Sequence, residues 1–449
     1  MVLLLPTSTP RWHAYAVAIA LALSLLVNKS VQGNELALPD FSVYHTMEAT
    51  LSAVDHIVDS SDHLSIQTLT RQALDSKGRE TNTGNKESVG DESAESMGSD
   101  TAPYETAMTI VTYDEDRGTD AEYRVLIDFG EHGREVITTE VGMAFLSALA
   151  SPAVRASILS KFDVPAYVSS DLADILSRTI IKVIPIENTN GRTLVEEGKL
   201  CERKNGRGVD PNRNWGVDWG KKEADYDPFE EYPGRFPFSE PETQLLREIA
   251  EAFKPDMFLN IHSGMEAMFV PWDHRLEVDY GVNVNATLAM LSEINLRFCM
   301  EKCAVGSGGK QVGYLAHGTV TDYMHEVLKV PISSTWEIYG DMNADFEDCW
   351  RMFNPIGVTE KDEVVDRWVG SLFYALWYAF GERHPVGRGK RAQEILGGGS
   401  VGGERRLGDG LLVVCALLVP VVAAIVLGAR NMRARRRRRE RGGDNASRV

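Results

Sequence analysis

The chain has 449 residues, a formal charge of −18 at pH 7 and 43% apolar residues, enough to bury a sizeable core. The charge is unevenly spread, because residues 429–449 hold nine arginines against Glu440 and Asp444, leaving the remainder more acidic than the whole. Binding of nucleic acid would need basic residues on the folded part, and this balance excludes it.

In chain order, Ala14–Val27 is an apolar run after Arg11 and His13, with small residues around Val31-Gln32-Gly33. It reads as the core of a signal peptide over residues 1–33, too short to span a membrane comfortably. Tyr44–Ile57 has helical spacing. Residues 75–101 are polar, with hardly any large apolar side chain, and read as a surface insertion or disordered segment. Met108–Tyr113 and Tyr123–Phe129 follow as β-rich apolar runs, then Val141–Leu149 as a helix and Ile180–Ile186 as a strand. Glu240–Phe253 is helical, Met257–Ile261 and Ser334–Ile338 are short strands, and Val364–Phe380 is a long closing helix. Buried runs without strict alternation, separated by helices, predict an α/β domain over 41–385 with a largely internal sheet.

Residues 386–410, rich in Gly and Arg, read as a linker. Leu411–Gly428 is uncharged, and Arg430, Arg433 and Arg435–Arg439 follow at once. This pattern predicts a transmembrane helix over 411–428 and a basic cytoplasmic tail over 429–449. The expected topology is a single-pass type I membrane protein of the secretory pathway or cell surface, with its main domain luminal or extracellular. Cys201, Cys299, Cys303 and Cys349 then lie in an oxidising compartment, with their pairing open. Asn285-Ala286-Thr287 is a candidate glycosylation site.

Two strands end beside metal-binding residue types. Tyr123–Phe129 runs into His132-Gly133-Arg134-Glu135, and Met257–Ile261 runs into His262. Ligands gather beyond the carboxyl ends of strands in open α/β sheets, so both segments are delivered to one edge. His-x-x-Glu alone is a common surface pair. Joined by a distant His, it forms the two-histidine, one-carboxylate set of catalytic zinc, with a position left for water. Glu337, at the end of the Ser334–Ile338 strand, is the acidic candidate for taking that water's proton. Arg203-Lys204-Asn205 and Asp210-Pro211-Asn212-Arg213-Asn214-Trp215 put guanidinium and amide donors where they can grip a carboxylate. A turn stabilised by Asn, Asp and Pro is the plainer reading of the second block.

Together, His132-Gly133-Arg134-Glu135, Arg203, Asp210 through Trp215, His262-Ser263, Tyr314 with Gly318 and Asp322, and Glu337 resemble the carboxypeptidase A/B-type zinc metallocarboxypeptidases. The order is the same along the chain, and Tyr44-His45-Thr46 looks like the family's usual start. The resemblance implies a mixed, mostly parallel eight-stranded sheet flanked by helices, besides the C-terminal transmembrane helix. It implies one zinc ion per chain on His132, Glu135 and His262, a zinc-bound water as nucleophile, and Glu337 as general base and then proton donor. Arg203 matches the residue that polarises the scissile carbonyl. Asn212 and Arg213 match the binders of the substrate's C-terminal carboxylate, Tyr314 closes over it, and Asp210 orients the first zinc histidine. The implied substrates are C-termini of peptides or proteins.

Thr321 matches a specificity position and offers neither a charge nor a large apolar wall, an expectation against strict preference for basic ends. Asp273, Glu277 and Asp279 read as a solvated acidic face. Too few residues precede the domain for the family's large prodomain, and the stretch between Phe380 and the membrane is too short for the small β-sandwich of its regulatory members. Two other readings stay open. One is hydrolysis of an amide or ester beside a carboxylate on a small acidic molecule, and another is a membrane-held peptide-binding module. Trimming of acidic tails on cytoskeletal proteins conflicts with the luminal topology.

Overall fold

A computed structural model of the chain describes residues 36–73, 104–116, 121–278 and 281–381. The segments read from sequence as a signal peptide (1–33), a polar insertion (75–101), a linker (386–410), a transmembrane helix (411–428) and a basic tail (429–449) lie outside the described residues. Among those described, no single helix is long and apolar enough to cross a membrane.

The elements in chain order are α1 (Met47–Asp59), β1 (Leu64–Gln72), β2 (Glu105–Tyr113), β3 (Tyr123–Phe129), α2 (Val136–Ala150), α3 (Pro152–Leu159), α4 (Ala166–Ser177), β4 (Thr179–Ile184) and α5 (Thr189–Glu196). There follow α6 (Pro241–Phe253), β5 (Met257–His262), β6 (Met265–Val270), α7 (Val282–Phe298), β7 (Ala304–Ser307), α8 (Gly308–Gln311), α9 (Val320–Glu326), β8 (Ile332–Tyr339), α10 (Cys349–Phe353) and α11 (Val358–Phe380). The strands form one eight-stranded sheet in the order β1-β2-β4-β3-β5-β8-β6-β7. The β4-β3-β5-β8 centre and the β6-β7 edge are parallel, and the remaining pairs are antiparallel.

Successive side chains of a strand point to opposite faces, and the two faces have separate cores. Val125, Ile127 and Phe129 of β3, Met257, Leu259 and Ile261 of β5, and Trp336 and Ile338 of β8 pack on the face covered by α2, α4, α7 and α11. Leu126, Ile184 and Phe258 pack on the other, beneath α6 and α9. Near the carboxyl ends of β3, β5 and β8, the second face changes from apolar to polar. Asp128 pairs across the ladder with Asn260, Asn260 with Thr335, and His262 with Glu337. Period-two alternation thus carries a row of functional side chains on a strand whose other side anchors the core.

Several boundaries differ from the sequence reading. The strand expected over Ile180–Ile186 ends at Ile184, where Pro185 cannot donate to a ladder. α2 begins at Val136 rather than Val141, and nearly all its residues are buried, so no polar face marks its start. α11 begins at Val358 rather than Val364, because its first turns are polar. The disulfides are Cys201–Cys349 and Cys299–Cys303.

Candidate metal centre and active site

His132 and Glu135 sit in the turn between β3 and α2. Gly133 is required there, because a Cβ on it would lie 2.5 Å from the carbonyl oxygen of Gly191. Glu135 occupies the N-cap position of α2 without capping it; its carboxylate is turned toward the histidines. Asn354 supplies the missing acceptor, taking a hydrogen bond from the amide of Ile137 at 2.9 Å, so the helix start is satisfied from another segment.

The three side chains converge. His132 Nδ1 is 2.8 Å from Glu135 Oε1, His262 Nδ1 is 3.0 Å from Glu135 Oε2, and the two Nδ1 atoms are 3.1 Å apart. All three residues are buried. Groups this close need a cation among them. Burial would lower the pKa of His262, yet Glu131 and Glu135 raise it well above the ordinary value, so in the free protein a proton fills that role. Burial would likewise raise Glu135, but His132 and His262 hold it well below the usual carboxylate range. Two imidazoles and a carboxylate aimed at one point match the donor set of catalytic zinc, and metal binding would release the proton.

A second set, Glu131, His132 and His262, also brings donor atoms within 4.8 Å of one another. It shares both histidines and differs in the carboxylate. Glu131 Oε2 faces His262 Nε2 at 3.1 Å, whereas Glu135 faces the Nδ1 atoms of both rings, so the set containing Glu135 is the convergent one.

The outer nitrogen of His132 is also held. Its Nε2 is 3.2 Å from Asp210 Oδ1, and Asp210 Oδ2 accepts a hydrogen bond from Arg203 Nε at 2.8 Å. Burial opposes ionisation of Asp210, but Arg203, then His132 and Arg213, keep it well below the usual range. The backbone amide of Asn212 donates to the same carboxylate at 3.0 Å, which turns the chain so that Asn212 and Arg213 enter one cleft. Gly318 lets that turn pack closely: it has φ +73°, and a Cβ there would lie 2.4 Å from the carbonyl oxygen of Arg213.

The cleft has a volume of about 70 Å³ and is lined by His132, Arg203, Asn212, Arg213, His262, Tyr314 and Glu337, among others. Glu337 Oε2 is buried and has no hydrogen-bond partner. Burial, and then Glu135, push the Glu337 carboxyl up to about 7, against the pull of His262, His132 and Arg203. Tyr314 stands at the rim, 39% exposed. Thr321 lies behind the cleft, with its hydroxyl hydrogen-bonded to that of Thr335 at 2.6 Å; Thr335 reaches the lining instead.

Four acids went unassigned or were read differently from sequence. Asp273 is no solvated face: it lines the cleft, accepts a hydrogen bond from Thr319 Oγ1 at 2.8 Å, and is pushed up to about 8 by burial and Asp322. Glu131 was legible only as the acid beside His132. Asp128 and Glu187 lie beyond it, fully buried and facing each other. Burial and Glu131 push Asp128 up to about 8, against a hydrogen bond from Glu187 and the charge of His262. Glu187 rises well above its usual value through burial and its two acidic neighbours, so the Asp128–Glu187 pair holds a proton between them.

A family profile described as zinc carboxypeptidase matches residues 94–361. Carboxypeptidase A1 of Sus scrofa is 29% identical over 160 residues, 34% of this chain and 36% of that protein. Carboxypeptidase B of Astacus astacus is 29% identical over 163 residues, 33% of this chain and 48% of that protein. The matched region therefore spans between a third and a half of these curated relatives. Among solved structures, carboxypeptidase A from Helicoverpa armigera superimposes with a TM-score of 0.53 at 17% identity, covering 80% of this chain and 81% of that one. This likeness concerns the fold.

Proposed function

The chain belongs to the zinc carboxypeptidase family, and on that premise we propose that it removes the C-terminal residue from peptides or proteins, with one zinc ion per chain held by His132, Glu135 and His262. The observation that carries this reading is the shared cleft, where Arg213 and Asn212 meet Arg203 and an unpartnered Glu337 oxygen.

A bound zinc ion supplies a Lewis acid for the scissile carbonyl and for water. The chain's own residues do the rest. Arg213 and Asn212 grip the substrate's terminal carboxylate, which restricts cleavage to the end of a chain. Arg203, pointed by Asp210, donates to the carbonyl oxygen as negative charge builds on it. Glu337 takes a proton from the attacking water and passes it to the leaving amine, and its elevated pKa suits both steps. Tyr314 at the rim closes over the bound end. Asp273 gives the cleft an acid whose ionisation a C-terminal Lys or Arg would favour, so we assign it a preference for basic ends.

We also propose that the catalytic region lies outside the cytosol on a membrane tether at 411–428. The two disulfides support an oxidising compartment.

The test uses the zinc-loaded chain and peptides with a free or an amidated C-terminus. Single-residue loss, read by mass spectrometry, is expected only with the free carboxylate, and Glu337→Gln should lower kcat about 10²–10⁴-fold. Equal cleavage of the amidated peptide would sink the carboxylate-gripping role. Full activity of the variant would sink the proton-transfer role.

A further inference from the structure

We infer that Glu131 is a positioning residue that holds His262 by its outer nitrogen, so that Nδ1 faces the same point as Nδ1 of His132. The inference rests on the zinc reading above. Glu131 Oε2 lies 3.1 Å from His262 Nε2, and the same oxygen accepts a hydrogen bond from Asn260 Nδ2 at 2.8 Å. Asn260 is two residues before His262 on β5, so both point to the same face. All three side chains are buried.

The backbone of Glu131 is fixed too, because its carbonyl oxygen accepts from Asn188 Nδ2 at 3.1 Å. The contact with His262 Nε2 gives this buried carboxylate a partner of opposite charge. The amide nitrogen of Asn212 also approaches Nε2, at 3.5 Å, but it is farther away and uncharged. A carboxylate against Nε2 keeps the ring proton there and leaves the Nδ1 lone pair free for a metal.

The arrangement matches the other histidine. Asp210 holds Nε2 of His132 at 3.2 Å, and both rings turn their inner nitrogens to Glu135. An imidazole's two nitrogens point away from each other. Glu131 at Nε2 therefore cannot share an ion with Nδ1 of His262, and its task is orientation.

The experiment measures zinc affinity by chelator competition and the visible absorption of the cobalt-substituted protein, on the full chain. The variants are Glu131→Leu, Glu131→Gln and Glu135→Gln. Glu131→Leu should bind zinc about 10–100-fold more weakly and shift the cobalt bands, with kcat falling more than KM rises. Glu131→Gln keeps an oxygen for the Nε2 proton and should restore the wild-type band shape and most of the affinity. If Glu131→Leu fails to fold, the cobalt spectrum of Glu131→Gln still decides. Bands altered as strongly in Glu131→Gln as in Glu135→Gln would make Glu131 a ligand and overturn the inference. Wild-type affinity and bands in Glu131→Leu would overturn it as well. Because metal binding is read directly, a wild-type chain that binds zinc yet cleaves no peptide would refute the proposed function and leave the Glu131 result standing.

Discussion

Each histidine of the pair offers its outer nitrogen to a buried carboxylate, yet the two carboxylates keep different company. Asp210 lies between Arg203 and Arg213, and their charges keep it ionised despite burial. Glu131 lies beside Asp128 and Glu187, where His262 is the nearby positive group that bears on these acids. On that side the balance is reached by retaining a proton on the Asp128–Glu187 pair. Desolvation is thus met in two ways within one site, by fixed guanidinium charge on the cleft side and by protonation on the sheet side. The fixed charge is also free to act on a substrate, since Arg203 and Arg213 both line the cleft. The proton is hidden from it.

Arg203→Met attacks the first arrangement and should have the largest effect of the three changes considered next. It removes the main partner of Asp210 and, on the proposed mechanism, the donor to the substrate oxygen. A fall in kcat of about 10²–10³-fold is expected, with a smaller change in KM, measured by steady-state hydrolysis of a peptide with a free C-terminus. An unchanged kcat would break the contrast, since Arg203 would then serve only to neutralise Asp210.

Asp273→Asn asks whether a half-buried acid of the cleft draws its cation from the substrate. Charged hydrogen bonds of this kind contribute about 1.5–3 kcal/mol, so the preference for C-terminal Lys over Leu in kcat/KM should fall by roughly tenfold or more. In the wild type the Asp273 carboxyl is pushed up to about 8, hence mostly neutral below that pH. The Lys-over-Leu ratio should therefore rise as pH passes upward through 8, and the variant should show a flat ratio. A wild-type ratio that is flat with pH would remove Asp273 from the recognition of basic ends.

Glu187→Gln is the mildest change and acts on the proton-retaining side. A carboxyl with a raised folded-state pKa contributes stability below its unfolded value, about 4.3, and loses it as pH rises toward the folded value. Glu187 is raised well above that value, so its contribution fades from weakly acid to alkaline pH. The variant should melt at or above the wild-type temperature at pH 8 and should lose that advantage at pH 4. Melting curves at the two pH values decide; a variant less stable at both would mean that the shared proton is not lost.

Much of this was legible from residues alone, and what was missed has physical reasons. Strand ends running into His132 and His262 carry a strong signal, because β3 and β5 are short, mostly apolar and almost entirely buried. β1 was not read as a strand: most of its residues are exposed or half-buried at the sheet edge, which blurs the apolar alternation. β7 has only four residues, too few for a period. Asp273 looked solvated because it neighbours Glu277 in sequence, whereas its placement depends on Thr319 and Asp322, which arrive from a later segment. The role of Glu131 depends on Asn260 in the same way. Residue type and local spacing identify candidate ligands; which acid faces which nitrogen is decided by strand pairing.

The Cys201–Cys349 bridge joins positions 148 residues apart and grips the chain two residues ahead of Arg203. Its far end begins α10, whose last residue, Phe353, accepts through its carbonyl oxygen from Ser263 Oγ at 2.8 Å, next to His262. The bridge therefore ties the loop of Arg203 to the wall behind the histidine pair. A thiol reductant would slacken that tie without touching a metal ligand. The geometry of the cleft is in this way fastened by a covalent link that persists only where thiols are kept oxidised.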